Sequence, residues 1–177
     1  MKTFSLLILC SLFSYFVQAS NADTLKANVK KNSIEIKGTT LEVQTPINKV
    51  ITLLGKPNRI LAVAKKDRVF IYDSLGLTFE VGKDAAQKVE RIIVSFNPKG
   101  NNRIAQSAFK GVVMINGLRM TANTTSALVA QKTPLKDFNC FSTICSSVPV
   151  KASLNLIMDF TDETQKKLMD LIFIMKP

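Results

Sequence analysis

One hairpin pattern occurs twice in this chain, and it limits the fold more than any other feature. Val112-Val113-Met114-Ile115 and Leu118-Arg119-Met120-Thr121 flank Asn116-Gly117. Asn-Gly favours a two-residue hairpin because both positions tolerate positive φ. Seventy-nine positions earlier, Ser33-Ile34-Glu35-Ile36 and Leu41-Glu42-Val43 flank Lys37-Gly38, so that Ile115 falls on Ile36 and Gly117 on Gly38. Apolar and polar residues alternate on each arm, which predicts a strand pair with one buried face. At the same interval Thr124 falls on Thr45, Ala127 to Ala130 fall on a helical stretch, and Lys167 to Phe173 fall on Lys88 to Val94.

That helical stretch is the clearest in the chain. Thr45 is the expected N-cap and Pro46 the first helical residue. Ile47, Val50, Ile51 and Leu54 form one apolar stripe, Gly55 suits the C-terminal cap and Pro57 prevents continuation. Strands are expected at residues 60–63, 68–72, 77–81 and 89–96, with Lys65-Lys66-Asp67 as a turn. The expected fold is α+β: an internal duplication giving two similar units in tandem, each a short helix packed on an antiparallel sheet. The units span residues 33–98 and 109–177, after a flexible leader at 20–32.

Residues 1–19 read as a secretory signal peptide: Lys2, then an apolar run from Phe4 to Phe13, then Val17-Gln18-Ala19 as a cleavage site. The run is broken by Ser11, Ser14 and Gln18 and is short for a bilayer span, so the chain is not expected to span a membrane. Cys10 is preceded by Leu9 and lies too early to accept a lipid. Cleavage near Ala19 leaves 158 residues and, with Lys2 gone, a net charge of +10, in a periplasmic or secreted setting. An oxidising compartment makes Cys140 and Cys145, with four residues between them, a local disulfide clip.

Three stretches occur in a characteristic order: Leu54-Gly55-Lys56-Pro57-Asn58-Arg59, Ile71-Tyr72-Asp73-Ser74-Leu75-Gly76-Leu77, and Phe109-Lys110-Gly111 leading into Ile115-Asn116-Gly117. Over residues 33–121 the chain resembles an uncharacterised bacterial exported domain family. Its marks are an LGKP helix end, an aromatic-Asp-x-x-Gly strand end and an F-x-G hairpin. Trp often stands in that family where this chain has Tyr72. The helix end and meander are more distantly similar to small outer-membrane-assembly lipoproteins and to β-lactamase-inhibitor protein, itself a tandem of α/β units. These resemblances imply a binding module, of the immunity or inhibitor kind. Asp73 and Gly76 are expected to have a structural role, with Asp73 bonding the backbone of its own turn.

Much catalytic chemistry is absent. The chain has no histidine, which removes the usual general base, the usual zinc ligand and any Ser-His or Cys-His pair. Its seven glycines form no phosphate-binding loop. Asp159, Asp162 and Glu163 cluster without the spacing of a calcium loop and are expected to be a solvated turn. No catalytic residue, metal or cofactor is expected.

The net charge directs attention to anionic partners. Between Arg91 and Lys136 there are seven basic residues and no acid: Arg91, Lys99, Arg103, Lys110, Arg119, Lys132 and Lys136. Lys65, Lys66 and Arg68 add a second cluster at a hairpin tip. Phe109 is the only aromatic between Lys99 and Lys136, and nucleic-acid binding would want stacking aromatics interleaved. The expected partner is therefore an acidic protein, such as a secreted toxin or enzyme, docking on Lys65, Lys66, Arg68, Lys99, Arg103, Lys110 and Arg119. The alternative is an anionic envelope glycan or lipid headgroup; nucleic acid is not expected.

Overall fold

The structure is a computed structural model that describes residues 24–28, 31–63, 67–82, 85–115, 117–131, 138–147, 154–161 and 167–175. The signal-peptide reading, Lys65, Lys66, Asp162 and Glu163 lie outside the described residues.

The chain is mostly β. Among the described residues the strands are β1 Thr24–Asn28, β2 Ser33–Ile36, β3 Thr39–Glu42, β4 Arg59–Ala62, β5 Arg68–Tyr72, β6 Leu77–Val81, β7 Val89–Ser95, β8 Val112–Ile115, β9 Leu118–Met120, β10 Phe138–Phe141, β11 Ile144–Ser147, β12 Leu154–Phe160 and β13 Leu168–Met175. The helices are α1 Ile47–Leu54, of eight residues, and α2 Ser126–Gln131, of six. The strands form a five-stranded sheet, β3-β2-β1-β8-β9, and an eight-stranded sheet, β10-β11-β12-β13-β7-β6-β5-β4.

This overturns the expected tandem of helix-on-sheet units. The two meanders do not make separate sheets: β13 pairs antiparallel with β7, with Ile172 directly opposite Ile93, and joins them into one. The two hairpins also share a sheet. One contiguous core lies between the sheets, with Leu25, Ile34, Leu41, Val113, Ile115 and Met120 on one side and Phe79, Ile92, Val94, Leu156, Leu171 and Phe173 on the other. Helices of eight and six residues are too short to cover a four-stranded meander. They contribute Ile47, Val50 and Val129 to the buried set, and sheet covers sheet instead. Local periodicity identified the strands but not their partners.

A second correction concerns the leader. Within residues 20–32, Thr24–Asn28 is a strand at the centre of the small sheet. It runs antiparallel to β2 and parallel to β8, and buries Leu25 and Ala27. Its alternation was masked by the lysines around it. At the start of α1, the N-cap is Pro46 in an extended conformation; the Thr45 hydroxyl donates to the Glu42 carbonyl at 2.7 Å, closing the turn before the helix rather than capping it.

The 79-residue interval is visible in the hydrogen bonding. Isolated bridges join Pro46 to Lys88 and Thr125 to Lys167. Val89 N donates to Thr45 O and Leu168 N to Thr124 O; Gly82 N donates to Lys88 O and Thr161 N to Lys167 O. Both halves also carry a bulge at the same place. Glu80 pairs with Arg91 and Val81 with Val89, leaving Glu90 over; Asp159 pairs with Asp170 and Phe160 with Leu168, leaving Met169 over.

Candidate functional site

The three motif stretches converge around the start of β4 and the end of β5. Gly55, with φ 83°, ends α1, and its carbonyl accepts a hydrogen bond from the Tyr72 hydroxyl at 3.0 Å. Asn58 Oδ1 accepts the Ser74 amide at 3.3 Å. Arg59 Nε donates to Asp73 Oδ2 at 2.7 Å and Nη2 to Asp73 Oδ1 at 2.8 Å. The same guanidinium donates to the carbonyls of Asn102 and Ile104, while the Gln106 amide donates to Asp73 Oδ1 at 2.8 Å. The Arg59 hydrogen bonds hold the Asp73 carboxyl below its ordinary range, outweighing the opposing effect of burial. The Asp73 carboxyl thus serves a loop 33 residues downstream rather than the backbone of its own turn.

Gly76 completes this arrangement. Its φ is 67°, and a Cβ there would overlap the Phe109 backbone nitrogen. The Phe109 amide donates to Ser95 O at 2.6 Å, and the Phe109 ring packs edge-on against Phe96. The 97–111 segment is therefore pinned across the outer face of the large sheet. Ala105 is buried there against Val69 and Ile71, and its amide donates to Thr78 Oγ1 at 2.9 Å.

Where that segment ends its coverage, the outer face opens into a depression of about 260 Å³ lined by Val63, Asp67, Arg68, Val69, Glu80, Val81, Glu90, Arg91 and Arg103. The bulge turns both Glu90 and Arg91 outward, a usual consequence of an extra residue in one strand. Arg91 Nη1 donates to Glu80 Oε2 at 3.1 Å. Among the described residues, neither Arg68 nor Arg103 makes an ion pair.

The structure therefore brings together two of the seven basic residues singled out in the sequence, Arg68 and Arg103. Lys99, Lys110 and Arg119 are exposed at other places, and Arg119 lies on the edge strand β9. Sequence reasoning placed Arg91 in a basic run but missed its place in the depression, and it missed Glu80 and Glu90 altogether. The adjacent charged pair Glu90-Arg91, breaking the alternation of its strand, was the available signal. The expected acidic turn is also redrawn. Asp159 lies within β12, directly opposite Asp170 on β13. Cys140 and Cys145 are direct cross-strand neighbours on β10 and β11.

Residues 26–129 match the model of a family described as a domain of unknown function (DUF7738). The chain belongs to this family. The matched segment contains the Arg59–Asp73 pair, Gly76, Phe109 and the whole depression, and ends before β10. No curated protein matches the chain in sequence. Three solved structures are similar to it. One is an extracellular protein containing a SCP domain from Bacillus anthracis str. Ames, 16% identical, with TM-score 0.46, covering 75% of this chain and 43% of that one. Another is a cysteine-rich secretory protein from Staphylococcus aureus subsp. aureus Mu50, 10% identical, with TM-score 0.44, covering 76% and 44%. The third is a DUF4309 family protein from Bacillus subtilis subsp. subtilis str. 168, 12% identical, with TM-score 0.46, covering 84% and 90%. The chain spans less than half the length of the first two. Among the described residues no helix is long and apolar enough to cross a membrane.

Proposed function

We propose that this DUF7738 protein is an exported, non-enzymatic binding module of the immunity or inhibitor kind, acting in the bacterial periplasm after removal of residues 1–19. Its partner is an acidic protein surface. One observation carries the reading: the outer-face depression, where the guanidiniums of Arg68 and Arg103, without an ion pair among the described residues, stand on the lining of a partly apolar hollow. Arginine suits such a site because its planar fork meets a carboxylate through two parallel hydrogen bonds. Arg91 is already engaged by Glu80, so the attraction falls to the other two, offset in part by Asp67 and Glu90 on the same lining.

The inhibitor-type resemblance drew on a tandem architecture that this fold does not have. Support therefore comes from the charged surface rather than from that likeness. The test is binding to proteins of the cognate envelope fraction by wild type and by the Arg68→Glu, Arg103→Glu double variant. A stoichiometric protein retained by wild type at low salt, and lost by the variant, supports the reading. Retention on purified envelopes or anionic vesicles that is indifferent to these two arginines, but lost when Lys99, Lys110 and Arg119 are neutralised, would favour an anionic glycan or lipid ligand instead.

A further inference from the structure

The two bulges hold opposite chemistry. In the first half the cross-strand pair beside the bulge is Glu80 and Arg91, an ion pair at 3.1 Å. In the second half the corresponding pair, 79 positions on, is Asp159 and Asp170. A guanidinium is thus replaced by a second carboxyl. Asp170 is only 7% exposed, and its Oδ1 has no hydrogen-bond partner among the described residues. On its other side it faces Ser95, fully buried, across the β7–β13 seam. The Ser95 hydroxyl is near enough to act on the Asp170 carboxyl but makes no well-formed hydrogen bond among the described residues. Lys99 lies near enough to act on Asp159 electrostatically, yet makes no ion pair with either acid among the described residues. Ile144, opposite Asp159 on β11, carries no charge. Asp162, Glu163 and Lys166 in the β12–β13 connection lie outside the described residues.

A buried carboxylate without a cation costs several kcal/mol, on the order of the desolvation of an isolated ion, and such a group neutralises itself instead. Two adjacent carboxyls do so by retaining one proton. The Asp170 oxygen is closed to solvent, so a proton fits where a guanidinium or ammonium does not. We infer that Asp159 and Asp170 hold one proton between them in the folded protein, making a clasp between β12 and β13 that acid closes and base loosens. The first half holds the same position with the Arg91–Glu80 salt bridge instead. Burial pushes both acids above the usual carboxylate range, with the Asp159 charge adding to the effect at Asp170 and the Ser95 hydroxyl and Lys99 opposing it.

The sign follows from linkage. A carboxyl that binds its proton more tightly when folded stabilises the fold in acid, and that contribution is lost as pH rises through the folded-state titration. The experiment is difference infrared spectroscopy of the purified protein across pH, with thermal melting of wild type and Asp170→Asn. The expected result is a carboxylic-acid C=O band in wild type that persists well above the ordinary aspartate titration, near pH 4, and is absent in Asp170→Asn. The fall of wild-type Tm with rising pH should be reduced in the variant. Loss of the band at ordinary aspartate pH overturns the inference, and this readout stands even if Asp170→Asn does not fold. A rise of Tm on adding calcium or magnesium, in wild type but not in Asp159→Asn, also overturns it by making a metal ion the neutralising charge.

Discussion

Arg59 grips Asp73 across the β4–β5 pair through two hydrogen bonds of 2.7 and 2.8 Å, while the same two side chains hold the backbone at Asn102, Ile104 and Gln106. One ion pair therefore fixes both an edge strand and the segment crossing the outer face. Arg59→Ala should destabilise the protein by about 2–4 kcal/mol, because it leaves a part-buried carboxylate and two carbonyls unpaired. Chemical denaturation is the measurement, and Asp73→Asn should lose less because the amide still accepts the Gln106 hydrogen bond. Asp73 titrates below its ordinary value, so its contribution is present at neutral pH and is lost as pH falls through that lowered titration. The Arg59→Ala deficit should therefore shrink in strong acid.

Gly76→Ala should be far more harmful than Gly117→Ala. Both glycines have positive φ, but only Gly76 has backbone of another segment in the space a methyl would fill. The expected losses are about 3 kcal/mol or more at Gly76 and about 1 kcal/mol at Gly117, by urea unfolding. Equal losses would mean that the close approach of Phe109 contributes nothing.

Tyr72→Phe tests the tie between β5 and the end of α1. Tyr72 is 2% exposed, and its hydroxyl reaches the Gly55 carbonyl at 3.0 Å. Removing it should cost about 1 kcal/mol. The edge-on contact with Phe79 should remain, since the ring does not change.

Cys140 and Cys145 should be found oxidised in exported protein. Their direct cross-strand placement and the burial of Cys145 suit a short bridge. Intact mass with and without reduction and alkylation reads the pairing. Closing so small a loop should add only about 2 kcal/mol, so the reduced protein should remain folded with a lower Tm.

Which parts of this molecule could be read from sequence follows from how local each signal is. The β2–β3 and β8–β9 hairpins, and the strands at 68–72 and 77–81, are set by neighbouring residues and were legible. The β7–β13 pairing was not, because Ile93 and Ile172 meet across 79 residues and nothing in either strand names its partner. The Thr24–Asn28 strand was hidden for a related reason. A short strand flanked by lysines shows little hydrophobic contrast until its neighbours supply two ladders. At the site, arginine content pointed to Arg68 and Arg103. Their meeting depends on the bulge at Glu90 and on the path of the 97–111 segment, both tertiary. Asp170 was invisible as a site because its significance lies in what stands opposite it.

The place of β13 bears on how the protein can be made. It comes last among the described strands, yet it lies in the interior of the eight-stranded sheet, between β12 and β7. A chain emerging amino-terminus first leaves β7 with an open edge, and β10 to β12 without an anchor, until residues 168–175 are free. Assembly of the large sheet must therefore wait until residues 168–175 are available, and a waiting edge of this kind invites pairing with other chains. Truncations that remove β13 should yield aggregates rather than a shortened native protein.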